Sequence, residues 1–566
     1  MDSSFNMGES PAVAQESRKT RRSRLWLVAA LLFVLFWALP NLSQPISRDQ
    51  AMYCVIGDGL LQGQRLYRDL WDNRPPATAY VFAAIGKVFG PVMWSIGLVD
   101  ILWLLGVSYF AFRFAARYLG TAVAVLAVGV NAIWHCRAGY VHAAVPSTFV
   151  ILFVLAGFFL AEREGPWPRL RDLAAGLLLG AAFWATYNAL LLFPLLVLVP
   201  YLDTTRLDNE PRRVRLAISW SAWLPRAAFV VAGFAAAVAV VTVYLWLTGS
   251  WAAFWEINFA VMPRYAALGF KGKPGYWLWA IVQTQHALGA WTELATLAAL
   301  LIAWKRRELG RLSPILLAAG LGYVSAAIQV RFHPYYFEIC YPFFAMIWGY
   351  VTLRIYEGFR ALAAACVTRG WRLARLLVWV LFANVVAWPV PEQATRLALH
   401  YRQLEEWGRQ PEISYMTYPW PHTLEHLGGE MGVIRYLKEN SAPRDGVFVW
   451  GTQPLIYFLS QRRPPTRFLS NLGLISAWAP ASWQVELVRD LQASPPRFVV
   501  VVRGDAIPSV SGTNMDSEKY LSVFPKLAAF IANSYQPVTT IGNFVVYSHR
   551  GISRTQTPAS SNPSLK

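Results

Sequence analysis

Charge is scarce in this chain of 566 residues. Only 15% are Asp, Glu, Lys or Arg, where a soluble domain carries about a quarter. Cysteine is scarcer still. Cys54, Cys136, Cys340 and Cys366 include no closely spaced pair, which excludes a zinc module and a CxxC redox site and argues against a disulfide framework. They read as small apolar residues in or near helices. No glycine-rich phosphate loop, HExxH pair or nucleophile elbow is present, so the usual signatures of nucleotide hydrolysis, zinc proteolysis and serine hydrolysis are missing. Val449-Trp450-Gly451-Thr452 follows an apolar strand pattern but is no dinucleotide fingerprint. There is no tandem repeat. Acids are the rarer charge, 32 Asp+Glu against 51 Lys+Arg, for a formal net charge of +19.

What fills the space is apolar. Hydrophobic residues make up 56% of the chain and aromatic ones 15%. They gather in runs that approach the roughly 20 residues a bilayer crossing needs. Run length predicts about eleven spans, near 25–42, 92–112, 121–136, 145–162, 173–186, 187–201, 226–248, 278–303, 313–330, 338–354 and 375–390. The division of 173–201 falls at Tyr187-Asn188. In a soluble protein the basic excess would suggest nucleic acid. Here much of it sits in short loops between runs, among them Arg212-Arg213-Val214-Arg215 and Lys305-Arg306-Arg307, which the positive-inside rule places in the cytoplasm. Residues 1–24 end in the basic run 18–24 and read as a cytoplasmic tail before a retained signal anchor.

The complementary loops, 44–91, 137–144, 249–277 and 331–337, then face outward, as does everything after about residue 391. Ala77–Phe89 reads as an amphipathic helix at the interface rather than a span. Residues 392–550 change character: buried strands at Gly446–Trp450 and Arg497–Val502 alternate with helical patterns at Leu424–Asn440 and Trp483–Leu491, an α/β domain with a partly parallel sheet. From 551 to 566 the composition is that of a disordered tail. The expected architecture is an all-α polytopic membrane domain over 25–391 with a C-terminal extracytoplasmic α/β domain.

Two stretches concentrate chemistry. In the first loop, Arg48-Asp49-Gln50-Ala51-Met52-Tyr53 is followed by Gly63-Gln64-Arg65-Leu66-Tyr67-Arg68-Asp69-Leu70-Trp71-Asp72-Asn73-Arg74-Pro75-Pro76. A carboxylate can take a proton from an attacking hydroxyl. A guanidinium fixed before two prolines can hold a departing phosphate by paired hydrogen bonds. The bland readings are a solvated loop charge for Asp49, headgroup snorkelling for Arg74 and a turn cap for Asp72. The second stretch is Arg331-Phe332-His333-Pro334-Tyr335-Tyr336, where His333 either faces a ligand or satisfies loop backbone. Arg137, His142, Arg264, Lys271 and Lys273 offer an electropositive rim, or a general attraction to anionic lipid.

With these motifs the chain resembles the GT-C glycosyltransferases, in the group of protein mannosyltransferases, lipid A aminoarabinose transferases and rhizobial lipopolysaccharide galacturonosyltransferases. The resemblance also takes in Val449-Trp450-Gly451, Tyr457 and Arg462-Arg463-Pro464-Pro465-Thr466-Arg467-Phe468, so it covers most of the chain. It implies transfer of a sugar from a polyprenyl-phosphate donor, with inversion, to a hydroxyl of a glycolipid, polysaccharide or protein at the outer face of the inner membrane. It also implies Asp49 as the base, Arg74 toward the donor phosphate, and His333 and Tyr336 near the donor. Beside these, Arg331 and Arg264 are candidates for the donor phosphate, and Arg48, Tyr53, Asp72 and His142, with Tyr336, for substrate binding. No nucleotide cofactor is implied, because the sugar arrives already activated on lipid, and no nucleic-acid partner. The chain departs from the pattern in three places. Arg74 stands where the group usually has Lys. Tyr187-Asn188 stands where a Lys is expected. The loop Arg137–Pro146 lacks the second acid, so a divalent metal bridged by two outer-loop acids has no second ligand. Two rival readings follow: a lipid or solute transporter, for which Asp100 inside a span speaks, and a catalytically inactive relative.

Overall fold

The computed structural model describes residues 11–162, 166–198, 220–270, 275–289, 291–368, 372–387, 390–418 and 427–551. Lys271, Lys273, the basic run 212–215 and the chain from 552 onward lie outside these residues. The protein is a multi-pass helical membrane protein with a small sheet near its C-terminus.

Among the described residues four helices are long and apolar enough to cross a bilayer: Thr20–Ser43, Trp94–Leu119, Trp223–Leu247 and Leu309–Ala327. A fifth is reached if Trp277–Leu288 and Thr292–Arg306 count as one broken span. The expected count of eleven is therefore not met by this measure, for physical reasons. Thr121–Arg137 and Pro146–Glu162 are apolar but run 17 residues each, about 25 Å at 1.5 Å per residue, short of a hydrocarbon core of about 30 Å. The run expected as one span at 278–303 is two helices bent by 73°, the first closed by Gly289 at φ +83°. The first helix begins at Pro11 rather than at residue 25, so the basic run lies within it. The break expected at Tyr187-Asn188 is present: Pro168–Ala185 ends, Thr186 is extended, and a 3-10 turn runs from Tyr187 to Leu192.

Small residues let these helices approach closely, the rule for helix pairs in lipid. Along the crossing of Pro168–Ala185 with Trp220–Leu247, a Cβ added to Gly176 would come within 2.0 Å of the Val230 carbonyl oxygen. One added to Gly233 would come within 2.0 Å of that of Leu173. At one end of the crossing Arg226 forks onto buried Asp172, with both bonds at 2.9 Å, and donates to the Ala161 carbonyl at 2.6 Å.

The loop 44–91 is folded rather than open. It carries a 14-residue helix, Arg48–Leu61, and the expected Ala77–Phe89 helix, which buries Thr78, Ala79, Phe82, Ala83 and Ile85. In the C-terminal domain β1 (Val447–Trp450) and β2 (Phe498–Val502) pair in parallel, as the sequence predicts. Both are buried along their whole length, as parallel strands covered on two faces are. The sheet is completed by an antiparallel hairpin that the sequence reading does not contain, β3 (Tyr535–Ile541) and β4 (Phe544–His549), in the order β1-β2-β4-β3. Helix Leu427–Asn440 precedes β1, and helix Ala481–Ala493 lies between β1 and β2 in the chain.

Gly176→Leu and Gly233→Val should each force the two backbones apart and cost about 1–3 kcal/mol through overpacking. Gly320, with no atom within 4 Å of its Cβ position, supplies the control. Melting midpoints of the detergent-solubilised protein should fall for the first two variants and hold for Gly320→Val.

Candidate active site

Asp49 sits in the first turn of the helix Arg48–Leu61, where the free amide groups of a helix start favour an anion. Its neighbour Gln50 fixes that turn from behind. Gln50 Oε1 accepts from the Ser47 amide at 2.5 Å, and its Nε2 donates to the Tyr140 carbonyl at 2.6 Å and to that of Ala143. The loop 137–144 thus supports the acid through its backbone.

Arg74 reaches Asp49 across 25 residues of chain, with Nη2 at 2.8 Å from Asp49 Oδ1. Its Nη1 lies 3.3 Å from Asp72 Oδ1, and the guanidinium stands 4.7 Å over the Tyr53 ring, a cation–π arrangement. The backbone that aims it is constrained on both sides. Pro75 and Pro76 follow, and Pro76 caps Ala77–Phe89. Before it, Tyr67 holds a left-handed φ of +67°, a conformation that costs a non-glycine residue roughly 1–2 kcal/mol. The buried Tyr67 hydroxyl donates to the Arg74 carbonyl at 2.7 Å. Burial pushes the Asp72 carboxyl up to about 6, against the pull of Arg74 and of the Asn73 and Arg74 amides.

The loop 331–337 closes one side. His333 stacks on Tyr335 at 5.5 Å with nearly parallel rings, and Tyr335 meets Tyr336 edge-on at 4.7 Å. The charges of Asp49 and Arg74 are felt at Tyr335, Tyr336 and Tyr265, and that of Asp49 at His333, which places these rings around the pair. Burial pulls the His333 imidazole down to about 4, and Arg331 lowers it further against the pull of Asp49. His333 is therefore neutral near pH 7, a hydrogen-bonding group rather than a cation.

The structure thus brings Asp49, Asp72, Arg74, Tyr53, His333 and Tyr336 together. It distributes the other predicted residues around them. Arg331 is buried, donates to the carbonyls of Tyr265 and of Ser509 (2.7 Å), and lies 3.9 Å over the Tyr265 ring, so it joins the loop to the C-terminal domain. Arg48 lies within the field of Asp505, beyond β2. Arg264 is exposed on the helix Met262–Phe270. Arg137 lines an apolar cavity of about 540 Å³ with Trp134, Trp291 and Trp348, and none of its lining residues belongs to the Asp49–Arg74 cluster.

His142 stands one layer behind the site, in a network the sequence did not reveal. Its Nδ1 is 3.0 Å from Glu338 Oε1, while its ring meets Tyr335 edge-on. Glu338 Oε2 accepts from Thr148. The His135 ring lies between Glu338, at 3.9 Å, and Asp100, at 2.9 Å. Asp100 also accepts from Asn41 Nδ2 (3.1 Å) and the Ala144 amide (2.9 Å). It lies six residues from the start of Trp94–Leu119, nearer the end of that helix than the middle of a span. The acid of this network, Glu338, comes to the loop 137–146 from another segment, 196 residues from His142. Among the described residues no group of three or more His, Cys, Asp or Glu could hold a metal ion.

No protein-family profile and no curated protein matches the sequence. Among solved structures the chain is similar to ArnT from Cupriavidus metallidurans bound to undecaprenyl phosphate, at 14% identity over 93% of this chain and 97% of that one, TM-score 0.48. It is also similar to the archaeal oligosaccharyltransferase AglB from Archaeoglobus fulgidus in complex with an inhibitory peptide and a dolichol-phosphate. There the identity is 13%, over 86% of this chain and 70% of that one, TM-score 0.48. At these scores the likeness does not decide the chemistry, which rests on the residues themselves.

Asp72 gives the site a signature in pH. Its folded pKa of about 6 lies above the ordinary 3.8, so the fold favours the protonated acid. The stability this contributes is present below about pH 4 and lost as pH rises through about 6, an effect of about 3 kcal/mol. In Asp72→Asn nothing titrates at that position. The wild-type melting midpoint should fall relative to the variant across this window, and a difference that stays flat would refute the assignment.

Proposed function

We propose that this protein is a GT-C-type membrane glycosyltransferase, moving a sugar from a polyprenyl-phosphate donor to a hydroxyl of a glycolipid, polysaccharide or protein at the outer face of the inner membrane. The observation that carries the reading is the Asp49–Arg74 pair, 2.8 Å apart, set among Tyr53, Tyr265 and Tyr336. A general base and a phosphate-binding cation lie side by side, as displacement at a phosphate-linked sugar requires.

In this scheme the donor phosphate draws the guanidinium of Arg74 onto its oxygens, where paired charge-assisted bonds are strongest. That movement releases Asp49 from its ion pair. Asp49 then accepts the proton of the acceptor hydroxyl, and the acceptor oxygen bonds to the anomeric carbon. The bond from that carbon to the phosphate oxygen breaks from the opposite side. The leaving phosphate keeps the electron pair, and its growing charge meets Arg74, already in place. Attack from opposite the leaving group inverts the anomeric centre. Tyr336 and neutral His333 are placed to hydrogen-bond sugar hydroxyls. The N-terminus lies in the cytoplasm, and the C-terminal domain lies over the outer loops.

The transporter reading loses its main support, since the carboxylate of Asp100 is taken by Asn41, His135 and the Ala144 amide. The test is transfer from radiolabelled polyprenyl-phosphate sugars to membrane glycolipid, comparing wild type with Asp49→Asn at matched expression. Loss of the base should lower kcat by about 10²–10⁴, and Arg74→Gln should raise the KM for donor. Equal transfer by wild type and Asp49→Asn would move the base elsewhere. No transfer by the wild type with any donor would favour the inactive relative.

A further inference from the structure

The C-terminal domain does more than cover the loop that carries Arg74. Arg467, in the segment after the helix Leu455–Ser460, directs one guanidinium edge at Glu486, with Nε 2.7 Å from Oε1 and Nη2 3.0 Å from Oε2. Its remaining nitrogen, Nη1, donates to the Tyr67 carbonyl at 3.1 Å. The carbonyl of Arg467 in turn accepts from the Trp71 amide at 2.9 Å. One residue therefore holds both ends of the turn 67–71 that lies just before Arg74. The grip is reinforced by packing. The Trp71 ring lies edge-on to Trp483 at 5.8 Å, and a Cβ at Gly473 would come 3.0 Å from Trp71, so this glycine lets the ring seat. Arg467 itself stands over Phe468 and Trp483.

What this turn controls is Arg74. Tyr67 is held in left-handed backbone, and its hydroxyl is the hydrogen-bond partner of the Arg74 carbonyl. The contacts run unbroken from Glu486 to Arg467, to Tyr67 and to Arg74.

We propose that Arg467 is a positioning residue that sets the guanidinium of Arg74 for the donor phosphate. This rests on the reading of Arg74 as the phosphate-binding group. The planar fork is needed because Glu486 and the Tyr67 carbonyl are bonded at once, from different nitrogens; a Lys keeps the charge without that geometry.

The experiment compares wild type, Arg467→Gln, Arg467→Lys and Glu486→Gln in detergent micelles. The control is Arg497→Gln, which breaks an ion pair with Asp445 (2.9 Å) elsewhere in the same domain. Two quantities are read: hydrogen–deuterium exchange of the peptide covering 66–74, and affinity for undecaprenyl phosphate. Arg467→Gln should speed exchange in that peptide at least about tenfold and weaken lipid-phosphate binding by about tenfold. Arg467→Lys and Glu486→Gln should give partial effects, and Arg497→Gln neither. Exchange unchanged in a folded Arg467→Gln overturns the proposal. So does faster exchange with undiminished lipid-phosphate binding, or the same changes in Arg497→Gln. A wild type that binds no undecaprenyl phosphate, yet loosens at 66–74 when Arg467 is changed, would sink the phosphate reading of Arg74 while upholding the grip on its loop.

Discussion

The carboxylate of Asp100 is fully buried, and a charge or strong acceptor in that position has to be met by donors wherever they can be brought from. They come from separate stretches of chain. Asn41 follows the first span, His135 ends the helix Thr121–Arg137, and the Ala144 amide belongs to the loop after it. Glu338 repeats the pattern with His142, Thr148 and the far side of His135. Removing one partner of such a buried group costs far more than the group contributes net, typically 3–5 kcal/mol. The network therefore acts less as a source of stability than as a register. It permits one arrangement of the loop roots at 41–47, 137–145 and 334–340, and those roots carry Asp49, the backbone acceptors of Gln50, and the Tyr335–Tyr336 pair.

From that base the site is held by two kinds of restraint. Beneath, the network and Gln50 lock the turn that presents Asp49. Beside it, the loop 63–76 is stiffened by a left-handed tyrosine, a proline pair and the C-terminal domain, whose contacts reach the loop at Tyr67 and Trp71 and the preceding helix at Asp58. A second contact of that domain, Trp483 Nε1 with Glu256 Oε1 at 3.0 Å, ties it to the segment that leads to Tyr265. The soluble-looking domain and the membrane helices thus meet through the loops that form the site, which is how a domain with no phosphate-binding motif of its own bears on the chemistry.

Much of this was legible in the sequence where the signal is local. Ala77–Phe89, the break at Tyr187, and β1 and β2 follow from periodicity, run length and turn residues. Asp49 stood out as an acid just outside the first apolar span, and Arg74 because a double proline fixes its direction. The rest was written in contacts between distant residues. Glu338 looked like the first residue of a span, and nothing near it in sequence marks it as the partner of His142, 196 residues away. Arg467 entered only as one residue of the stretch 462–468 that carries the resemblance, and its contact with Tyr67 spans 400 residues. The span count is unconfirmed for a different reason. Hydropathy sums over a run, and it cannot see that the run 278–303 is bent in two at Gly289.

The arginine at position 74 follows from the same geometry. An ammonium is a compact point charge, whereas this side chain meets Asp49 through one nitrogen, Asp72 through another, and the face of Tyr53 with its plane. Asp72 lies farther from the guanidinium than Asp49 does, 3.3 Å against 2.8 Å, and its burial disfavours the charged form. On the proposed reading, a phosphate entering the site competes chiefly with Asp49 and, in drawing Arg74 away, frees the carboxylate proposed as base. In that proposed scheme substrate binding and base release are one event, which a site that kept its cation and its carboxylate apart could not achieve.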